Sequence, residues 1–175
     1  MHGRLRRSPG FTLVEMIVVC GIVALLLAIG VPSFRYVTTS NRATTEINGL
    51  LADLQFARSE AIREGQQIDV CATTNGTSCV TSGTTWNNGW LVKSGTNILR
   101  IQPVFSSQDT LQSDNSIKVV SFSREGFTSG LPSAITFTLN DSTSNAQYRR
   151  CLSLTIIGAL STQIGGKQTA EGTTC

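Results

Sequence analysis

The chain has 175 residues, with 14 Lys and Arg against 11 Asp and Glu and a formal net charge of +3. Arg4, Arg6 and Arg7 account for that excess, so the pI of about 8.7 is weak ground for a nucleic-acid protein. The single histidine is His2, which excludes conventional Ser-His and Cys-His catalysis from everything downstream.

Residues 11–31 form an almost uninterrupted apolar run broken by one acid, Glu15. At ~1.5 Å per residue it makes a helix of ~30 Å, enough to cross the hydrocarbon core of a bilayer. The arginines just upstream favour the cytoplasmic side and leave the remainder of the chain outside. A carboxylate in hydrocarbon is costly, so Glu15 calls for a partner, and an intramembrane acid is a functional candidate by default.

The string Gly10-Phe-Thr-Leu-Val-Glu15 resembles the prepilin signature of type IV pilins and type II secretion pseudopilins. The resemblance implies that a prepilin peptidase cuts after Gly10 and methylates the new amino terminus, Phe11. It also implies that Glu15 pairs with the terminal amine of a neighbouring subunit, an attraction much stronger in low dielectric than in water. The fold it implies is α+β and type IV pilin-like: a long N-terminal helix, half transmembrane and half amphipathic, packed on a C-terminal antiparallel β domain. The corresponding segments are a leader at 1–10, a transmembrane helix at 11–31, an amphipathic helix at 32–64 and a β domain at 65–175.

Residues 33–64 keep the helical period. Ile47, Leu50, Leu54, Ala57 and Ala61 recur at spacings of three and four, with Leu51 and Ile62 widening the stripe, and Gly65 is a natural stop. Gly30 and Pro32 predict a kink or a locally melted turn. The string Leu54-Gln-Phe-Ala-Arg-Ser-Glu-Ala-Ile62, followed directly by a strand, resembles the helix end of the GspH/FimT-type branch through Ala57, Arg58, Ser59, Glu60 and Ala61.

Short runs rich in branched and aromatic residues then predict antiparallel strands at 66–71, 90–93, 98–101, 117–122, 134–139 and 151–157, with hairpin turns at 93–97 and 140–145. Residues 102–116 read as a connector and 158–175 as a tail. Ser123-Arg-Glu-Gly126 reads as a turn, with Phe122 and Gly126 as scaffold and Phe127 packing over the sheet. Trp90, beside Leu91 and Val92, is a core residue. Trp86, between Thr85 and Asn87, is open to two readings, an exposed subunit contact or a ring folded back on its own domain.

Cys20 falls within the apolar run, where it packs as a small apolar residue. Cys71, Cys79, Cys151 and Cys175 form an even set in an oxidising compartment and allow three connectivities. Local closure favours Cys71–Cys79, which leaves Cys151–Cys175, a stapled tail similar to that of FimU-type minor pilins. No CxxC unit or nearby histidine suggests a metal, and no motif suggests a cofactor or an enzyme.

The resemblance implies a minor type IV pilin that primes or caps fibre assembly, inserted once in the inner membrane with its β domain in the periplasm before it enters the fibre. Its partners would be the prepilin peptidase, other minor and major pilins or pseudopilins, and inner-membrane lipid. Alternatives are a minor pseudopilin of type II secretion and a DNA-binding minor pilin for natural transformation. DNA contacts would fall to Lys167, with Arg149 and Arg150 added by the fold, a sparse footprint for a polyanion.

Overall fold

The computed structural model describes residues 10–83, 85–165 and 175, and the chain divides into two compact units, Met1–Thr38 and Thr39–Cys175. A single helix, α1 (Leu13–Glu64), supplies most of the first unit and the opening element of the second. It starts where Thr12 can cap it: the Glu15 amide donates to Thr12 Oγ1 at 3.2 Å, satisfying one of the orphan donors of the first turn.

The melted turn expected around Gly30 and Pro32 is absent, and the element is helical through both. An internal proline removes one hydrogen bond of the ladder, and the flanking Ala24, Leu25, Leu26, Leu27 and Ala28 are strong helix formers. In the first unit every described side chain is exposed, including Leu25 at 69% and Ile29 at 73%. A helix that is apolar all round and buries nothing has hydrocarbon as its natural solvent. Among the described residues α1 is the one helix long and apolar enough to cross a membrane.

In the second unit α1 shows a stripe. Ala43, Ile47, Leu50, Leu54, Ala57 and Ala61 are at most 1% exposed, and their alternation of four and three residues holds one face against the β structure. Ile62, expected within the stripe, is about half exposed, because the next residue along is turned roughly 100° around the helix from Ala61.

Among the described residues nine strands follow, in two antiparallel sheets. The first has the order β3 (Asn97–Gln102), β2 (Trp90–Ser94), β1 (Ile68–Ala72), β5 (Val119–Phe122) and β6 (Thr128–Ser129). The second has the order β4 (Thr110–Ser113), β7 (Ile135–Asn140), β8 (Arg150–Leu154) and β9 (Leu160–Ile164). Alternation puts Ile68, Val70 and Ala72 of β1 and Ile135, Phe137 and Leu139 of β7 into one core with the helix stripe. Each large aliphatic side chain buried there contributes about 1.5–3 kcal/mol.

Trp86 belongs to this core. It is fully buried, lies edge-on to Phe137 with 5.0 Å between ring centroids, and donates Nε1–H to Ile117 O at 3.0 Å. That resolves the two readings in favour of a ring folded back on its own domain. Trp90 is buried as expected, edge-on to Phe105 at 6.0 Å.

Three strands arise where the sequence predicted connector, turn or tail. β4 has one apolar residue, Leu111, β6 has two residues, and β9 exposes most of its side chains; cross-strand pairing rather than an apolar pattern makes them strands. Conversely, the strand expected to run through Ile157 ends at Leu154, and Ile156 and Ile157 form a turn. Phe127, expected over the sheet, is 51% exposed.

Two disulfides close the unit, Cys71–Cys79 with Cα atoms 5.5 Å apart and Cys151–Cys175 with Cα atoms 5.7 Å apart. The first returns the loop after β1 onto the face that Cys71 shares with its register partner Leu91. The second ties Cys175 to β8.

Candidate functional site

The residues of the N-terminal signature lie at the mouth of α1. Gly10 and Phe11 precede the helix in non-helical backbone, Phe11 is 78% exposed, and a side chain built on Gly10 would meet no atom within 4 Å. Glu15, three residues after the Thr12 cap, stands in the first helical turn, where the partial positive charge of the helix end favours a carboxylate. Residues 1–9, and with them the arginines of the expected leader, lie outside the described residues.

At the other end of α1, Arg58 lies where two hairpin loops meet. Residues 123–127 join β5 to β6 and residues 155–159 join β8 to β9, one loop from each sheet, and both follow one hydrogen-bonding scheme. Gly126 N–H donates to Ser123 O at 2.8 Å and Ser123 N–H to Phe127 O at 2.8 Å; Gly158 N–H donates to Thr155 O at 2.9 Å and Thr155 N–H to Ala159 O at 3.0 Å. The fourth position needs a positive φ, +80° at Gly126 and +78° at Gly158, which glycine adopts without strain. Arg58 Nη1 donates to Gly158 O at 2.7 Å, and a Cβ on Gly158 would stand 2.7 Å from Gly126 O, so the loops touch through their glycines. Thr128 N–H and Oγ1–H both donate to Ile156 O, at 3.2 and 2.7 Å, and complete the join. The Ala57-Arg-Ser-Glu-Ala61 string thus does more than favour helix: the alanines seat the helix on the core, and Arg58 clasps the loop of one sheet while lying against Gly126 in the loop of the other.

Further back, polar side chains flank the buried stripe. Asp53 accepts from Trp90 Nε1 at 2.9 Å and pairs with Arg100 at 3.1 Å, while the Arg100 guanidinium lies 3.6 Å from the centre of the Phe56 ring. Arg42 grips the buried Asp109 carboxylate through two hydrogen bonds of 2.8 and 2.7 Å. One turn on, Glu46 Oε1 accepts from Ser107 Oγ at 2.8 Å, while Oε2 is buried without a hydrogen-bond partner. Burial, reinforced by the charge of Asp109 and only partly opposed by Ser107 and Arg42, pushes the Glu46 carboxyl up from 4.5 to about 7.

A raised carboxyl pKa in the fold means that the folded state holds the proton more tightly than the unfolded chain does. The associated stability is full below about 4.5 and is lost as pH rises through about 7. Glu46→Gln is therefore expected to match the wild type near pH 4 and to exceed it at pH 8, by on the order of 1 kcal/mol once solvent screening of this half-buried group is allowed for. The fluorescence of the buried Trp86 and Trp90 during urea titration of the chain in detergent reads that difference; equal midpoints at pH 8 would contradict it.

The arginines considered for DNA are committed elsewhere. Arg150 is 7% exposed and donates to Thr44 Oγ1, Ser40 Oγ, Gln147 O and Arg149 O; Arg149 Nε donates to Asn140 Oδ1 at 2.8 Å. Lys167 lies outside the described residues. Among the described residues, no group of three His, Cys, Asp or Glu side chains could hold a metal ion.

A long apolar-headed helix whose C-terminal half is the spine of an antiparallel β domain defines the type IV pilin-like class. Residues 46–158 match the family described as type II transport protein GspH, and residues 5–31 match the prokaryotic N-terminal methylation motif. The chain belongs to the GspH family of pilin-like proteins. It is 33% identical over 69 residues to two fimbrial proteins of Pseudomonas aeruginosa, a match covering 39% of this chain and 44% of each relative. It thus spans less than half the length of these curated relatives. Among solved structures, the fold resembles the type IV minor pilin FimU of Pseudomonas aeruginosa PAO1 in two crystal forms. One aligns with a TM-score of 0.58 at 21% identity, covering 70% of this chain and 89% of FimU; the other gives 0.52 at 21% identity, covering 69% and 90%.

Proposed function

We propose that this chain is a minor subunit of a type IV pilus, held in the inner membrane by residues 11–31 until assembly draws it into the fibre. The observation that carries this reading is α1 itself: apolar and exposed on all sides where it begins, one-sided where it serves the β domain. A helix of that kind is an anchor that can be moved from lipid into a bundle of similar helices, since both environments are apolar. The prepilin peptidase cuts after Gly10 and methylates Phe11, and the periplasmic β domain then meets other minor and major pilins. Catalysis has no place in this mechanism.

The Glu15 carboxylate sets the axial register by facing the free amine of a neighbouring subunit as the helices pack. Left unpaired in that bundle it would be costly, which penalises every offset but one. Glu15→Ala is expected to leave membrane insertion unchanged and to reduce the amount of the chain in sheared fibres several-fold, measured by immunoblot of fibre and membrane fractions. Undiminished incorporation would overturn this role for Glu15.

A second reading, a minor pseudopilin of type II secretion, is favoured by the description of the matching family. The same cleavage and helix chemistry serve both, and the composition of the fibre that retains the chain distinguishes them. The DNA-receptor reading gains nothing from Arg149 and Arg150, whose guanidinium groups bond within the domain.

A further inference from the structure

The two hairpin loops that meet at Arg58 share a hydrogen-bonding scheme but not a surface. In the loop 123–127 the central residues are Arg124 and Glu125, paired with each other at 2.6 Å and typical of an exposed turn. In the loop 155–159 the same positions hold Ile156 and Ile157, 53% and 57% exposed. Branched apolar residues are poor choices for the tip of a turn, and here more than half of each stays exposed. Phe127, 51% exposed, follows the first loop's glycine, and Ile62, 54% exposed, lies against that glycine. The bonds from Thr128 to Ile156 O and the contact between Gly158 and Gly126 O bring the two loops, and with them these four exposed residues, side by side as a crest.

We infer that the crest of Ile62, Phe127, Ile156 and Ile157 is the surface on which the β domain of a different pilin-like subunit docks, an inference that rests on the fibre-subunit reading above. Charge and area select this occupant. The charges on these loops and on the last turns of α1 are Arg58, Arg63 and Arg124 against Glu60, Glu64 and Glu125, most of them paired with one another or with a loop carbonyl, which offers no basic excess to anionic lipid or nucleic acid. An apolar centre inside a balanced polar rim suits a protein surface. Half-exposed side chains of this size present roughly 400 Å2, about half of what each partner of a stable free-standing complex contributes. A dimer held by this patch alone would fall short, whereas a neighbour already tethered through its helix needs only a small added contact, and the neighbours of a minor subunit in a fibre are other chains.

The test uses the full-length chain expressed with its own fibre genes. A photoactivatable residue at position 127 or 157 is expected to yield adducts with another pilin-like subunit, identified by mass spectrometry, while the same probe at Val104, exposed on the segment after β3, yields far fewer. Ile157→Lys, which the turn accommodates, is expected to lower fibre incorporation roughly tenfold with an unchanged urea midpoint, and Val104→Lys is expected to leave both unchanged. Adducts only with lipid or only with a second copy overturn the inference, as does normal incorporation of Ile157→Lys without adducts from position 127. If the wild-type chain never enters a fibre, the fibre-subunit reading falls and takes this inference with it; if the chain enters normally and the crest stays silent, only the docking surface is lost.

Discussion

Gly158→Ala is expected to destabilise the β domain by about 3 kcal/mol, through two separable costs. The first is conformational: at φ +78° a non-glycine residue in left-handed backbone loses roughly 1–2 kcal/mol. The second is crowding, since the new Cβ would stand 2.7 Å from Gly126 O and 3.2 Å from Arg58 Nε. The backbone oxygen cannot rotate away, so the loops must part, and the charged hydrogen bond from Arg58 to Gly158 O weakens with them. Gly95→Ala separates the costs: its φ is +57° and no atom lies within 4 Å of a Cβ built there, so only the conformational cost applies. Thermal unfolding followed by tryptophan fluorescence should show a fall of roughly 10 °C for Gly158→Ala and about a third of that for Gly95→Ala. Equal falls would mean that the Arg58 clasp relaxes without cost.

What could be read from the sequence, and what could not, follows from the range of the interactions involved. The stripe of Ile47, Leu50, Leu54, Ala57 and Ala61 is a local period, and all five residues are buried. The clasp is not local. Arg58 looks like good helix composition until Gly158, a hundred positions on, brings its carbonyl to the guanidinium. β4 and β9 were invisible because they are outer strands of their sheet, defined by ladders to β7 and β8 and not by their own side chains.

Ile156 and Ile157 misled for the opposite reason. Three β-branched residues, Thr155, Ile156 and Ile157, after Cys151-Leu-Ser-Leu154 have strong strand propensity, and the turn prevails because Gly158 and the paired loop 123–127 fix the chain reversal. The failure of local preference there is itself informative, since a turn with isoleucines at its tip forgoes local stability and the crest is what it presents. Trp86 posed a similar difficulty: Thr85 and Asn87 carry no sign of the fold-back that brings its ring onto Phe137. The N-terminal signature is contiguous, so the processing and assembly proposal can be framed from the sequence alone.

Gly10→Val is expected to abolish processing. The full precursor should accumulate in the membrane, retain residues 1–10, lack a methyl group on Phe11 and be absent from fibres, as read by intact mass of the purified chain and by immunoblot of sheared fibres. The structure makes this substitution a clean one. Gly10 lies outside α1, and among the described residues nothing lies within 4 Å of its Cβ position, so the fold has no reason to respond. An unchanged urea midpoint would locate the defect in recognition by the peptidase, whose site must accept the backbone at the scissile bond and where a branched side chain obstructs that approach. Loss of cleavage also removes the free amine at Phe11, the group that the proposed mechanism sets opposite Glu15 of a neighbour. Gly10→Val and Glu15→Ala should therefore converge on poor incorporation from opposite sides of one ion pair, while only Gly10→Val alters the mass. A mature product of normal mass from Gly10→Val would remove the cleavage assignment. Normal incorporation of the uncleaved chain would show that the pair is not what sets the register.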